Sequence, residues 1–180
     1  MKRRILSLLS VALMIAMMMT LLGGCGDKTP KFSADTTIHY SSGEDSEWAY
    51  GNQQKEFPGD ETCYVRIGCL PISDIDKGAD TEITVIYRFT CTGSCEVKLA
   101  DGIVTQVDST EEGVYAFTRT LRALKDGETK EDIVIFQYTP NGEGSVVLDV
   151  SYGDNIDERY DIRNTVYFSG KAADVEAGIH

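Results

Sequence analysis

Apolar side chains recur at every second position from Glu61 onward, and this spacing limits the fold more than any other feature. In the first such run, Cys63, Val65, Ile67 and Cys69 occupy alternate positions. A period of two places these side chains on one face of a β-strand, as a half-buried strand requires. The spacing recurs at Ile83, Val85, Tyr87, Phe89 and Cys91, at Val97 and Leu99, at Val146, Leu148, Val150 and Tyr152, and at Tyr160, Ile162, Val166 and Phe168. The chain is therefore predicted to be all-β.

Turn-forming residues separate the predicted strands, as in Thr92-Gly93-Ser94 and Thr139-Pro140-Asn141-Gly142. One run is ambiguous, because Arg119 to Lys125 suits a helical turn while the aromatic and threonine residues before it favour a strand. Seven or eight short strands without a long helical pattern predict an antiparallel, immunoglobulin-like β-sandwich over residues 59–170, with a small closed β-barrel as the alternative. This region is similar in general layout to bacterial immunoglobulin-like surface domains, without a signature motif.

The first 25 residues have the layout of an export signal. Three basic residues at 2–4 precede an uncharged apolar run from Ile5 to Leu22. The run is about long enough to span a bilayer, so an uncleaved membrane anchor is one alternative. Leu22-Gly23-Gly24-Cys25 resembles the lipobox of bacterial lipoproteins, in which a leucine, two small residues and a cysteine occupy these places. The resemblance implies removal of residues 1–24, a diacylglyceryl group on Cys25 and display outside the cytoplasmic membrane. Ordinary secretory cleavage is the other alternative.

The charge of the chain narrows its partners. The whole chain has 17 basic and 29 acidic residues and a net charge of −12. Removal of residues 1–24 would take away three basic residues and no acidic one, which leaves a net charge of −15. A field of this sign disfavours nucleic acid and anionic lipid head groups. The lipid on Cys25 is therefore the predicted membrane contact.

Residues 25–58 are predicted to be the lipidated cysteine and a polar spacer, and residues 171–180 a flexible tail. A short first strand over Thr37 to Tyr40 is an alternative within the spacer. The spacer also contains an aromatic group, for which docking on the edge of the domain is preferred over an exposed ligand platform. The group consists of His39, Tyr40, Trp48, Tyr50 and Phe57.

Four cysteines follow Cys25, and an even number in an exported chain predicts disulfides. Cys91 and Cys95 flank a three-residue turn, so a hairpin would place them opposite each other, and this local bridge is favoured. Cys63 and Cys69 lie about 20 Å apart along a straight strand, so a bond between them needs a bend. Pairing Cys63 with Cys91 or Cys95 leaves Cys69 at the far end of the sheet. The spacing suits neither a redox dithiol nor a zinc site.

Catalytic motifs are missing from the sequence. The chain has only two histidines, His39 and His180, and contains no nucleophile elbow, phosphate loop or dinucleotide fingerprint. A carboxylate pair of the glycosidase kind depends on a separation that sequence does not reveal. The sequence therefore predicts a protein that is not an enzyme, with a hydrolase acting through acidic residues as the alternative.

Asp74, Asp76 and Asp80 surround Gly78 in a pattern that resembles the start of a calcium loop. The pattern departs from the EF-hand, because Gly78 stands where a ligand belongs and Val85 replaces the closing glutamate. A solvated acidic turn is therefore the preferred interpretation, and calcium is the weaker hypothesis. No other cofactor is predicted.

The functional prediction is a lipid-anchored binding or structural module that presents its loops and edges to an extracellular protein or glycan. It rests on display, fold class and the missing catalytic motifs. An accessory subunit of an envelope or transport assembly is the alternative.

Overall fold

The structure is a computed structural model that describes residues 28–43, 46–52, 56–100, 105–106 and 108–170. The predicted signal peptide, the predicted lipid site at Cys25 and the predicted tail lie outside the described residues. Helical structure in the described residues consists of two single 3₁₀ turns, Asp76–Gly78 and Glu158–Tyr160. None of the described helices is long and apolar enough to cross a membrane.

Strands account for most of the described residues. They are β1 (Phe32–Ser41), β2 (Ala49–Tyr50), β3 (Glu56–Pro58), β4 (Cys63–Ser73), β5 (Glu82–Thr92), β6 (Cys95–Leu99), β7 (Thr105–Gln106), β8 (Asp108–Glu111), β9 (Val114–Arg122), β10 (Leu124–Lys125), β11 (Asp132–Pro140), β12 (Gly144–Tyr152) and β13 (Ile162–Ser169).

The strands form two separate sheets. Sheet I has the order β2-β1-β4-β11-β6-β7, with β10 also pairing with β4, and sheet II has the order β3-β13-β12-β5-β9-β8. All pairs of long strands are antiparallel. The predicted antiparallel sandwich is confirmed. The alternative of a small closed barrel is wrong, because the hydrogen-bonded ladders do not join into one ring.

The strand order matches that of a constant-type immunoglobulin domain. That order is A-B-E-D on one sheet and C-F-G on the other. In chain order, β1, β4, β5, β6, β11, β12 and β13 take the places of strands A to G. The longest added strand is β9, which follows β6 in the chain and pairs with β5, and the other added strands are β2, β3, β7, β8 and β10.

The core lies between the inward faces of the two sheets, where the alternating apolar residues meet. Phe136 of β11 is fully buried at its centre. Its ring centroid lies 4.7 Å from that of Phe89, 5.5 Å from Tyr87 and 5.6 Å from Phe117. Burying such a side chain stabilises a fold by about 1.5–3 kcal/mol, so these rings hold the sheets together.

Strand β1 changes the predicted boundary between spacer and domain. It pairs with β4 along its whole length, from Phe32 opposite Ser73 to Ser41 opposite Tyr64. Tyr40 is completely buried. The sandwich therefore begins at Phe32, and the prediction of a spacer up to residue 58 is wrong for this strand.

The connection from Cys91 to Cys95 is not the predicted hairpin. Strand β5, which contains Cys91, pairs with β12 and β9 in sheet II, whereas Cys95 begins β6, which pairs with β11 in sheet I. The chain crosses between the sheets within these few residues, and Gly93 takes a φ of +83° at the crossing. A tight glycine turn has the same local sequence in both arrangements, and only the distant strand partners distinguish them.

The ambiguous run is extended, as its residue propensities predicted. Strand β9 reaches Arg122, and β10 follows at Leu124. Arg119 lies opposite Val85, whose side chain is buried, so Arg119 occupies an inward position. Its Nε lies 2.9 Å from Oδ2 of Asp132, and its Nη2 donates to Oδ1 at 3.0 Å. This ion pair joins the two sheets along the β9 side.

Candidate functional site

Strand β1 leaves part of its outer edge open. Its outer neighbour, β2, pairs only with His39 and Tyr40. At the other end, a single bridge joins Phe32 to Ile156. Between these contacts, no strand of the described chain lies opposite Ser33 to Thr37. The middle of β1 is therefore an unpaired sheet edge.

The backbone groups on this edge can be assigned by alternation. The C=O of Lys31 accepts from the N–H of Asp74 on the β4 side at 3.0 Å, whereas the C=O of Ile38 accepts from Gly51 on the outer side at 2.9 Å. Successive residues of a strand point their backbone groups to opposite sides, so the N–H and C=O groups of even-numbered residues of β1 point away from β4. Ala34 and Thr36 therefore present N–H and C=O groups to an incoming strand.

A groove of about 310 Å³ lies beside this edge, between the sides of the two sheets. Its volume is at the lower end of the range found for ligand pockets. Strand β1 forms one wall, β13 forms the other, and the segment after β2 closes one end. The groove is lined by Thr36, Thr37, Ile38, Tyr50, Gly51, Asn52, Ile162 and Asn164.

Three polar side chains of the groove, those of Thr36, Thr37 and Asn164, have hydrogen-bond partners within the protein. The Thr36 hydroxyl shares a hydrogen bond with the Tyr152 hydroxyl at 2.5 Å. The Tyr40 hydroxyl donates to Oδ1 of Asn164 at 3.1 Å, and Nδ2 of Asn164 donates to the C=O of Gly51 at 3.5 Å. Burial raises the pKa of Tyr40 and Tyr152, so both hydroxyls keep their protons. The outward backbone of β1 is left as the unused hydrogen-bonding surface.

An aromatic pair forms the rim of the groove. The rings of His39 and Tyr50 are 4.4 Å apart, and Tyr50 is 55% exposed. Burial and the charge of Arg66 lower the pKa of His39, while Glu131 opposes the shift. His39 is therefore neutral at pH 7. The aromatic group of the sequence divides, because Tyr40 and Phe57 are buried in the core, Trp48 is half-buried and Tyr50 is exposed.

The four predicted disulfide cysteines are not bonded to one another in this structure, and they occupy two places. Cys91 and Cys95 lie at the two ends of the crossing between the sheets, where their side chains interact, and Cys63 is nearby. Cys69 lies farther along β4, with its sulfur 3.4 Å from the Tyr87 hydroxyl. Burial raises the pKa of Cys63 and Cys69, which makes them poor nucleophiles.

The acidic loop does not bring its carboxylates together. Asp74 accepts from the N–H of Lys31 at 2.8 Å, while Asp76 lies 3.6 Å from the Lys125 ammonium. Asp80 takes a φ of 66°, and Arg122 lies 4.0 Å from its carboxylate. No group of three or more His, Cys, Asp or Glu side chains in the described ranges is placed to hold a metal ion. The calcium hypothesis for Asp74, Asp76 and Asp80 therefore lacks the convergence that it requires.

Sequence reasoning did not find the edge residues Ala34 and Thr36. Their segment, Phe32 to Thr37, is polar at most positions and carries no repeated apolar signal. The aromatic group around Tyr50 was the one sign of a binding surface in this part of the chain.

No protein-family model and no curated protein matches this chain. Solved structures that are similar to it include a solution NMR structure of a lipoprotein from Bacteroides thetaiotaomicron. That protein is 17% identical, with a TM-score of 0.39, and the match covers 84% of this chain and 88% of that one. Another is a conjugate transposon protein, residues 27–141, from Bacteroides vulgatus. It is 14% identical, also with a TM-score of 0.39, and the match covers 82% of this chain and 90% of that one.

Proposed function

We propose that this protein is a non-catalytic binding module, anchored by lipid outside the cytoplasmic membrane, that binds an extended peptide segment of a partner protein along β1. The observation that carries the proposal is the open edge at Ala34 and Thr36, which lies beside a groove of about 310 Å³. A peptide that pairs with such an edge gains main-chain hydrogen bonds, and its alternate side chains enter the neighbouring groove.

The N-terminal sequence supports the location. Leu22-Gly23-Gly24-Cys25 follows a basic start and an uncharged apolar run, as in bacterial lipoproteins. With Cys25 as the first residue, the mature chain carries a net charge of −15. Such a charge repels an anionic bilayer surface, so the lipid itself would hold the protein there.

The hydrogen-bonding pattern of the groove favours a peptide over a glycan. A glycan needs free side-chain donors and acceptors, but Thr36 is bonded to Tyr152, and Asn164 is bonded to both Tyr40 and Gly51. A peptide strand instead bonds to backbone, which is what β1 leaves open. The exposed ring of Tyr50 supplies apolar contact area beside it.

The described chemistry favours binding over catalysis. The ring of His39 packs against Tyr50, and its Nδ1 atom has no hydrogen-bond partner among the described residues. The Cys69 thiol is buried against the hydroxyl of Tyr87. A nucleophile needs an adjacent base within hydrogen-bonding distance, and the described residues do not show that arrangement.

The test uses full-length protein and a display library of random ten-residue peptides. Ala34→Pro removes one outward N–H and leaves the ladder to β4 intact. We expect the wild-type protein to enrich a set of peptides from the library. These peptides should bind Ala34→Pro with an affinity about tenfold lower or more, because one backbone hydrogen bond is lost and its partner on the peptide stays unpaired. Ser33→Ala is the matched control, because it changes only a side chain on the same strand and should bind as the wild type does.

Three results would contradict the proposal, once circular dichroism has shown that both proteins are folded. The first is that the library yields no peptides, and the second is that Ala34→Pro binds the peptides as tightly as the wild type. The third is binding on a glycan array that Tyr50→Ala abolishes and Ala34→Pro preserves, which would assign the groove to sugars.

A further inference from the structure

Cys91 and Cys95 meet where the chain crosses from sheet II to sheet I. Cys91 is the last inward residue of β5, Cys95 is the first residue of β6, and three residues separate them, so their side chains are close enough to interact. Gly93 takes a φ of +83° between them, and the Tyr115 hydroxyl donates to the C=O of Cys95 at 3.0 Å. The N–H of Cys91 donates to the C=O of Gly113 at 2.7 Å. Hydrogen bonds therefore hold the backbone at both ends of the crossing.

Cys69 is out of reach of this pair. Its sulfur lies at the Tyr87 hydroxyl, and Tyr87 precedes Cys91 by four residues on β5, which is about 13 Å along a strand. Disulfides require Cα atoms within about 7 Å. Cys63 and Cys69 are likewise about 20 Å apart, and the ladder from β4 to β11 runs unbroken between them. Four cysteines allow three two-bond patterns, all of which include Cys69, and none of the three fits this sheet.

We infer that the mature protein carries one disulfide, between Cys91 and Cys95, while Cys63 and Cys69 remain buried thiols. The inference rests on the export proposed above, because disulfides form and persist in oxidising compartments outside the cytoplasm. The bond fixes the crossing between the sheets and closes only a short loop, so its contribution through chain entropy is modest.

The oxidant is an oxidised thiol–disulfide oxidoreductase of the cell envelope. The half-exposed Cys91 attacks as thiolate on one sulfur of that enzyme's disulfide and forms a mixed disulfide, which releases the enzyme's second thiolate. The Cys95 thiolate then displaces the enzyme from Cys91. The two cysteines lose two protons and two electrons, and these protons and electrons reduce the disulfide of the oxidoreductase to a dithiol. The hydrogen bond from Cys95 lowers the pKa of Cys91, which suits it to the first attack.

Trypsin separates the relevant cysteines cleanly. Cys91 and Cys95 share the peptide 89–98, while Cys63 lies in 56–66 and Cys69 in 67–77. Full-length protein is purified from membranes, alkylated after denaturation without reductant, and digested. We expect peptide 89–98 without alkyl groups and about 2 Da lighter than its dithiol, because a disulfide lacks two hydrogens. Peptides 56–66 and 67–77 should be alkylated.

Matched variants test the pairing. Cys91→Ser should leave Cys95 open to alkylation, whereas Cys63→Ser should leave the light form of peptide 89–98 unchanged. A free dithiol in peptide 89–98, or a cross-link between peptides 56–66 and 89–98, would overturn the inference.

The N-terminal peptide of the same sample separates this inference from the proposed location. A lipid-modified Cys25 with a free 89–98 dithiol would contradict the disulfide alone, whereas an intact leader with free thiols would contradict both. Reduced protein treated with oxidised glutathione then tests the geometry without export, and it should again give the light form of peptide 89–98.

Discussion

The two lateral sides of the sandwich use their hydrogen-bonding groups differently. On the β9 side, β8 pairs with only the start of β9, from Val114 to Ala116. The charged and hydroxyl side chains of Arg119 and Tyr115 reach from sheet II to Asp132 and Cys95 of sheet I. On the β1 side, hydroxyl and amide side chains also join the sheets, but the strand edge stays open. Charged side chains such as Arg119 beside a strand edge discourage pairing with another strand, whereas the groove beside β1 is lined by uncharged residues.

The largest change in the free energy of unfolding is expected from proline substitutions in β1, and it should distinguish the paired side of this strand from its open side. Thr37 is paired with Gly68 and points its backbone N–H toward β4, whereas the backbone N–H of Ala34 points away from β4, toward the open edge. Thr37→Pro should lower the free energy of unfolding by about 2–3 kcal/mol, because a buried hydrogen bond is lost and its acceptor stays unpaired. Ala34→Pro should cost less than about 1 kcal/mol. Urea unfolding measures both. Equal losses would show that the outer edge of β1 is not free.

The second largest change in the free energy of unfolding is expected when the ion pair between Arg119 and Asp132 is removed. Arg119→Ala should lower the free energy of unfolding by about 1–2 kcal/mol, because the Asp132 carboxylate stays half-buried without its partner. The two side chains are 39% and 32% exposed, which keeps the loss below that of a fully buried pair. Arg88→Ala on the exposed face of sheet II is the control, with an expected change within about 0.5 kcal/mol. Equal changes in the two variants would contradict a joining role for Arg119.

The smallest effect concerns the rim of the groove. The pKa of His39 is lowered in the folded state, so below its ordinary value near 6.5 the unfolded chain takes up the proton first. Stability should therefore fall as the pH drops from 7 through the lowered pKa, by a small amount because His39 is partly solvated. Urea unfolding of the wild type and of His39→Gln at pH 7.5 and pH 5 measures the difference. A constant difference would show that His39 does not contribute to the pH dependence.

The sequence predicted those strands whose inward positions are apolar. Strands β4, β5 and β12 follow directly from alternation, because one face of each packs in the core. Only the end of β1, from Thr37 to Tyr40, was offered as a strand, and as an alternative. The start of β1 escaped prediction because the inward side chains there are Ala34 and Thr36, and the Thr36 hydroxyl is satisfied by Tyr152, far away in the sequence. The open edge exists because no neighbouring strand pairs with the middle of β1, and a local sequence pattern does not predict which strands become neighbours.

The early start of β1 also sets how high the domain can stand above the bilayer. Seven residue steps separate Cys25 from Phe32, and a fully extended chain spans at most about 25 Å over that distance. With the lipid on Cys25, the sandwich would lie close to the lipid head groups, and β1 would be the first strand after the anchor. A partner embedded in the same membrane would then reach the edge of β1 more easily than one arriving from the distant cell wall.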